Sequence, residues 1–407
     1  MQSALWLTNV RLESGLQTDN GVVTGTETEL CHLLIRDGRI TDKMAASQAI
    51  TDDLPRLDAR SYLALPSFIE KHCHLDKTLL GSKWRPVTPA KHIFDRLDEE
   101  KRLHAEHAVS IAERASLYLE TALRSGVTHV RTHVDIYPEA GLKQMEEVQK
   151  ALQAFEGKLT YEIVAFPQQG LLRSKSAELV REALRSGASL VGGVDPATVD
   201  GDVEQSLRMM VELAASEGAG IDLHLHDPDH LGLFTLKRLA SLTREAGLAG
   251  KVAVSHAFCL GDIPAGQAEA AADMLAEAGI GIITSVPMNR KFPPVRLLQG
   301  RGVSVSVGCD NVFDVWSPFG NGDILERAGR LAEISGWANE QSLAQGLQYI
   351  TGGVTPLDAE GRQAWPRIGD EASLALVDAS CSAEAVARKS ARVATLFRGS
   401  VVAGALD

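Results

Sequence analysis

From about residue 62 the chain repeats one alternation. A short run of β-branched and other apolar residues is followed by a longer stretch whose apolar positions recur every three or four residues. The short runs are Tyr62–Ile69, Val127–Val134, Leu159–Phe166, Leu190–Val194, Ile221–Leu225, Val252–Val254, Ile280–Val286 and Val303–Val307. Between them lie amphipathic stretches such as Ile111–Arg124, Val203–Ser216, Leu233–Ala246 and Ala268–Ala278. Gly126, Gly218, Gly247 and Gly279 stand where helix C-caps are expected. Strand–helix units in this number predict an α/β chain folded as a closed (β/α)8 TIM barrel. The competing open sheet would carry a glycine-rich phosphate loop. Gly192-Gly193 lacks that spacing and runs into Asp195-Pro196.

Both ends break the alternation. Residues 4–12, 31–40 and 57–64 read as short strands with a turn at Asp37-Gly38. The tail has apolar runs at Leu374–Val377 and Thr395–Val402, with Gly399 in a turn position. Neither end holds a helical period. They predict a small β-sandwich module formed by residues 1–64 with 362–407, beside the barrel of residues 65–361.

Composition narrows the partners. The 407 residues, 44% hydrophobic and 23% charged, can bury a large core. A formal net charge of −12 argues against nucleic acid and anionic membranes, which both need a basic surface. No apolar run approaches the roughly 18 residues of a membrane span, and Met1 to Leu7 lacks a signal-peptide pattern. The five cysteines (Cys31, Cys73, Cys259, Cys309, Cys381) are scattered without CxxC spacing. Neither a disulfide framework nor a thiolate zinc site is indicated, and a reduced cytoplasm is the expected setting.

In barrels of this kind the working residues project from the C-terminal ends of the strands. The first strand ends Glu70-Lys71-His72-Cys73-His74-Leu75-Asp76-Lys77, with two imidazoles facing one way on an extended chain. The fifth ends His224-Leu225-His226-Asp227, the sixth Ser255-His256 and the eighth Cys309-Asp310-Asn311. Taken singly, each histidine reads as an ordinary polar residue and Asp310 as a helix cap. Jointly, histidines on strands one, five and six with an aspartate on strand eight converge only in a closed barrel, as a site for a borderline metal. His104 and His107 lie in a charged helical stretch and read as solvated. His133 ends strand two, where it either lines the pocket or braces the mouth.

These residues resemble the amidohydrolase superfamily, and within it the cytosine deaminase-like branch, over nearly the whole chain. The resemblance is carried by Pro66 to Lys77, Arg131-Thr132-His133-Val134-Asp135, Val164 to Gln168, Ser255-His256, and Asp310-Asn311-Val312-Phe313-Asp314 leading to Trp316. Val191 to Thr198 and Pro318 to Asp323 look similar to members of that branch that remove an alkylamine from a triazine ring. The resemblance implies that His72, His74, His224 and Asp310 hold one metal ion. It implies that His256 stabilises the developing alkoxide and that Gln168 reads an amide-like ring edge.

The residues support a compatible mechanism. Three neutral imidazoles and a carboxylate leave a divalent zinc, iron or manganese open to water, whose pKa falls from about 15.7 towards about 7. Metal-bound hydroxide then attacks a ring carbon bearing an amine, with Asp310 as ligand and base. Strand four ends without the lysine that two-metal relatives carbamylate, which favours one ion.

Two positions depart from the cytosine deaminases. Their strand-five glutamate is Asp227 here, preceded by His226, and either residue can take the proton-shuttle role. Their second strand-eight aspartate is Asn311. Both changes argue against cytosine itself, and the resemblance at both positions to the members that act on triazine rings implies a substituted amino-triazine or related small heterocycle. Trp84, Phe313 and Trp316 are candidates to stack on a flat ring. Lys77, Lys83 and Arg85 are candidates to meet an anionic group, with Lys83 read as solvated. Ring-opening hydrolysis of a cyclic amide is the alternative chemistry, an inactive scaffold the alternative class, and a homo-oligomer the expected assembly.

Overall fold

The computed structural model describes residues 4–406. The predicted barrel strands form one parallel sheet in sequential order. They are β1 (Phe68–Cys73), β2 (Val127–Asp135), β3 (Thr160–Phe166), β4 (Leu190–Val194), β5 (Gly220–Leu225), β6 (Val252–His256), β7 (Ile280–Thr284) and β8 (Val305–Val307). The last and first strands meet through a Cys73–Asp310 bridge, in which the Asp310 N–H donates to the His72 carbonyl at 2.7 Å. That approach requires Gly308. A Cβ there would lie 2.5 Å from the His72 Cβ, so any side chain would wedge the barrel open beside His72.

The intervening helices carry their own start and stop signals. Ile111–Arg124 opens on a Ser110/Glu113 capping box. Val203–Glu217 opens on Asp202 and ends at Gly218 (φ 68°), which takes the left-handed C-cap conformation. Leu207, Met210, Val211 and Ala214, spaced at helical intervals, bury the inner face of that helix against the barrel.

The chain ends build a second, mostly antiparallel eight-stranded sheet. Its seam with the barrel follows from strand alternation. In Leu63–Pro66 and Leu374–Val377, Leu63, Leu65, Ala375 and Val377 pack into the barrel core. Ala64, Leu374 and Leu376 face a separate core with Val10, Leu33 and Leu396. Both faces of these strands are buried, so they read as continuous apolar runs.

Several expectations need correction. The run Tyr62–Ile69 is two strands: Leu63–Pro66 pairs with Leu374–Val377, and β1 starts at Phe68 after a break at Ser67. The N-terminal strands are longer than expected, Leu5–Asp19 and Val22–Arg36, joined at Asn20-Gly21 with φ 49° and 80°. These are the positive φ values of a type I′ hairpin turn, for which Asn-Gly is the preferred sequence. His104 is not solvated: both ring nitrogens are buried without a partner, and burial pushes its pKa down to about 3. His107 bonds the Ser82 hydroxyl at 3.1 Å.

Candidate active site

Alternate residues of the barrel strands stack in layers. β2 and β3 pair His129 with Thr160, Arg131 with Glu162, His133 with Val164 and Asp135 with Phe166. In the lower layers every charge has a partner. Glu162 accepts from Arg131 Nε at 3.0 Å and Nη2 at 3.1 Å, with Lys71 Nζ at 2.9 Å and His129 Nε2 at 3.1 Å. The remaining Arg131 nitrogen, Nη1, donates to Asp222 Oδ2 at 2.8 Å.

Above that network the imidazoles collect. His72 Nε2 and His74 Nε2 each lie 3.4 Å from Asp310 Oδ1, and His256 Nδ1 lies 4.0 Å from Oδ2. Two sets of donor atoms fall within 4.8 Å of one another: His72 with His74 and Asp310, and His72 with His133 and His224. The His224 ring is centred 4.6 Å from that of His72 and 5.5 Å from that of His74. His72 Nε2, both nitrogens of His224 and of His133, and His256 Nδ1 are buried without a hydrogen-bond partner. Burial pushes the His74 pKa down to about 3 and those of His133, His224 and His256 well below the ordinary value. These rings are therefore neutral, with lone pairs available. Burial disfavours charge on Asp310, but His256, His72 and His74 hold its pKa well below the usual range. Unpaired buried nitrogens beside an ionised carboxylate are what a divalent cation would satisfy.

Supporting residues fix these side chains. The Ser255 hydroxyl donates to Asp222 Oδ1 at 2.7 Å, so its oxygen accepts from His72 Nδ1 at 2.8 Å. That leaves the His72 Nε2 lone pair facing Asp310. Glu70 accepts from the His72 and Cys309 N–H groups, each at 3.0 Å, tying β1 to the chain that follows β8 beside His72 and Asp310. Asp195 accepts from His226 Nδ1 at 2.8 Å and from the backbone N–H groups of His226 and Asp227 at 2.5 and 3.1 Å. The His226 ring stacks on His256 with centroids 4.5 Å apart. Burial lowers the His226 pKa, but Asp195 outweighs it and the net shift is upward. Asp227 is turned aside: Oδ1 accepts from the Thr198 hydroxyl at 2.7 Å, and burial raises its pKa. Asp195, His256 and Asp310 all have positive φ (36°, 70° and 59°), which is backbone strain at three strand ends of one mouth.

The expected pocket residues divide. Gln168 accepts from Lys77, and Trp316 Nε1 donates to Glu100 Oε1 at 3.2 Å. Asn311 Nδ2 donates to Asp314 Oδ2 at 2.7 Å. Trp84 stacks on Phe313 at 5.7 Å but is 69% exposed, so it stands at the rim. Arg85 pairs with Glu99 at 2.9 Å, and Lys83 is exposed. Sequence reasoning missed Glu70, Glu100, Asp195 and Asp222 as site residues. Asp195 carried a signal, since it directly follows β4 at the same mouth.

The cluster at the C-terminal mouth of the parallel barrel could hold a divalent metal ion. The chain belongs to the Amidohydrolase family, whose sequence profile matches residues 110–405. It is an enzyme of the class acting on C–N bonds other than peptide bonds. It is 39% identical over 404 residues to the uncharacterized protein YahJ of Escherichia coli (strain K12), covering 98% of this chain and 88% of that one. N-isopropylammelide isopropylaminohydrolase from Burkholderia multivorans ATCC 17616 superposes with a TM-score of 0.87 at 31% identity, over 100% of both chains. The 5-methylcytosine deaminase from Klebsiella pneumoniae, liganded with 5-fluorocytosine, superposes with a TM-score of 0.79 at 25% identity, over 98% of this chain and 97% of that one. Among the described residues, no helix is long and apolar enough to cross a membrane.

Proposed function

We propose that this protein hydrolyses an exocyclic C–N bond on a nitrogen heterocycle, an amino-pyrimidine or amino-triazine, releasing ammonia or an alkylamine. The observation that carries this reading is the set of neutral, buried, unpartnered imidazole nitrogens gathered around the ionised Asp310. His72, His74, His224 and Asp310 would hold one divalent ion, zinc or iron first and manganese next. When bound, such an ion supplies a water whose pKa falls towards about 7.

This chain's residues then divide the work. Asp310 takes the proton of the attacking water. His256, beside Asp310, stabilises negative charge growing on the oxygen at the attacked carbon. His226, oriented by Asp195 and with a third of its side chain reaching solvent, hands a proton to the leaving nitrogen. Asp227, bonded to Thr198, orients the strand-five end. Gln168 and Asn311 grip the ring edge, and Trp316 covers its face. The Amidohydrolase family match and the likeness to the N-isopropylammelide and 5-methylcytosine enzymes support the ring substrate.

Protein reconstituted with zinc, iron or manganese should turn over at least one of N-isopropylammelide, cytosine or pterin, with product mass showing loss of an amine. Product heavier by one water and retaining its nitrogen would replace this reading with ring opening. No turnover by metal-replete protein on any ring would overturn it.

A further inference from the structure

Lys77 was expected to meet an anionic ring, but it is 2% exposed and its ammonium is already surrounded. Nζ lies 3.1 Å from Asp135 Oδ1 and 3.4 Å from Glu100 Oε2, and donates to Gln168 Oε1 at 2.5 Å. Glu100 lies on the helix Ile93–Glu106 between β1 and β2, Asp135 is the last residue of β2, and Gln168 follows β3. An ammonium has three N–H donors and no acceptor. Nζ donates to Glu100 and Gln168 and lies in ion-pair range of Asp135, and because an ammonium cannot accept, the amide atom facing Nζ must be the oxygen. Gln168 Nε2 is thereby the free end of the amide, and no described residue accepts from it.

The amide is linked to the imidazole cluster through Phe166. Gln168 follows two residues after Phe166, whose ring stacks on His224 at 4.1 Å. The same ammonium sits 5.6 Å from the Phe166 ring and 5.8 Å from the Trp316 ring. Across the mouth Asn311 is fixed in the opposite sense, because its Nδ2 is spent on Asp314 and Oδ1 is left. An unrestrained glutamine can turn its amide to suit either a donor or an acceptor. A locked one cannot, and a substrate group of the wrong polarity leaves two N–H groups facing each other.

We propose that Lys77 is a positioning residue that never touches the substrate: it locks the Gln168 NH2 outward, so that the site selects rings presenting an oxo oxygen there over rings presenting an amino group. This rests on the function proposed above and narrows it to oxo-substituted heterocycles.

A double-mutant cycle on the metal-loaded enzyme tests the lock, using Lys77→Met, Gln168→Ala and the pair. The probe is whichever of N-isopropylammelide, cytosine or pterin the wild type turns over. Lys77→Met should raise KM about tenfold or more with kcat changed no more than about threefold, and Gln168→Ala should do the same. The double variant should be no worse than about threefold beyond the poorer single, because both remove one interaction. Lys77→Met should also shrink the preference for N-isopropylammelide over N-isopropylmelamine, with metal content unchanged. If stranding two carboxylates unfolds Lys77→Met, Lys77→Met with Asp135→Asn replaces it in the cycle. Multiplying effects on KM, or an undiminished preference, would overturn the inference while leaving the proposed activity intact. A wild type inactive on all the rings would overturn both.

Discussion

The lower and upper layers of one barrel interior use the same residue types to opposite ends. On β2, Arg131 and His133 are two residues apart; on β5, so are Asp222 and His224. Arg131 and Asp222 are paired with each other, and Arg131 also grips Glu162 through two nitrogens. His133 and His224 have no hydrogen-bond partner on either nitrogen. Buried charge is costly unless paired, so the lower layer is self-sufficient and serves the fold. The upper layer serves binding in the proposed reading. Its rings avoid the cost by staying neutral, and their lone pairs are what a divalent ion would take. The link between the layers is the chain Arg131–Asp222–Ser255–His72, through which the paired network aims a nitrogen of the imidazole cluster.

Substitutions should separate the two layers. Asp310→Asn should cut kcat/KM by several orders of magnitude and lower bound metal, measured by elemental analysis, while the melting temperature of metal-free protein barely moves. A near-wild-type rate would refute the mechanism. At the proton-donor position, His226→Gln should lower kcat by about 10²–10⁴ with metal retained, and Asp227→Asn by much less. The reverse order would assign the shuttle to Asp227. Arg131→Met should do the opposite of Asp310→Asn. It strands Glu162 and Asp222, so denaturant unfolding should report a loss of about 3–5 kcal/mol, with metal still bound to the folded fraction. The last comparison concerns His104. Its folded pKa of about 3 lies below the unfolded value of 6.5, so it contributes stability at neutral pH that is lost as pH falls from 6.5 towards 3. Stability of the wild type should therefore drop across that window by up to about 1.4 kcal/mol per pH unit more steeply than in His104→Leu. Parallel pH profiles would show that His104 is not buried in solution.

The alternation of strand and helix, the helix caps and the order of the barrel strands were legible in the chain because each rests on a local period or a local backbone preference. The His-x-His pairs were legible for the same reason: strand geometry alone puts alternate side chains on one face. The Asn20-Gly21 turn was equally present in the sequence, and its polar flanks obscured how far the hairpin ran. What the tertiary structure decided was everything that needed two distant segments. Glu70 reaches Cys309, Asp195 reaches His226, and Lys77 gathers Glu100, Asp135 and Gln168 only because the barrel closes. His104 looked solvated because its neighbours in the chain are charged, and it is buried by residues that are not its neighbours. A linear period sets which way a side chain points, whereas its partner, its protonation state and which end of an amide is left free are set by segments that folding brings together.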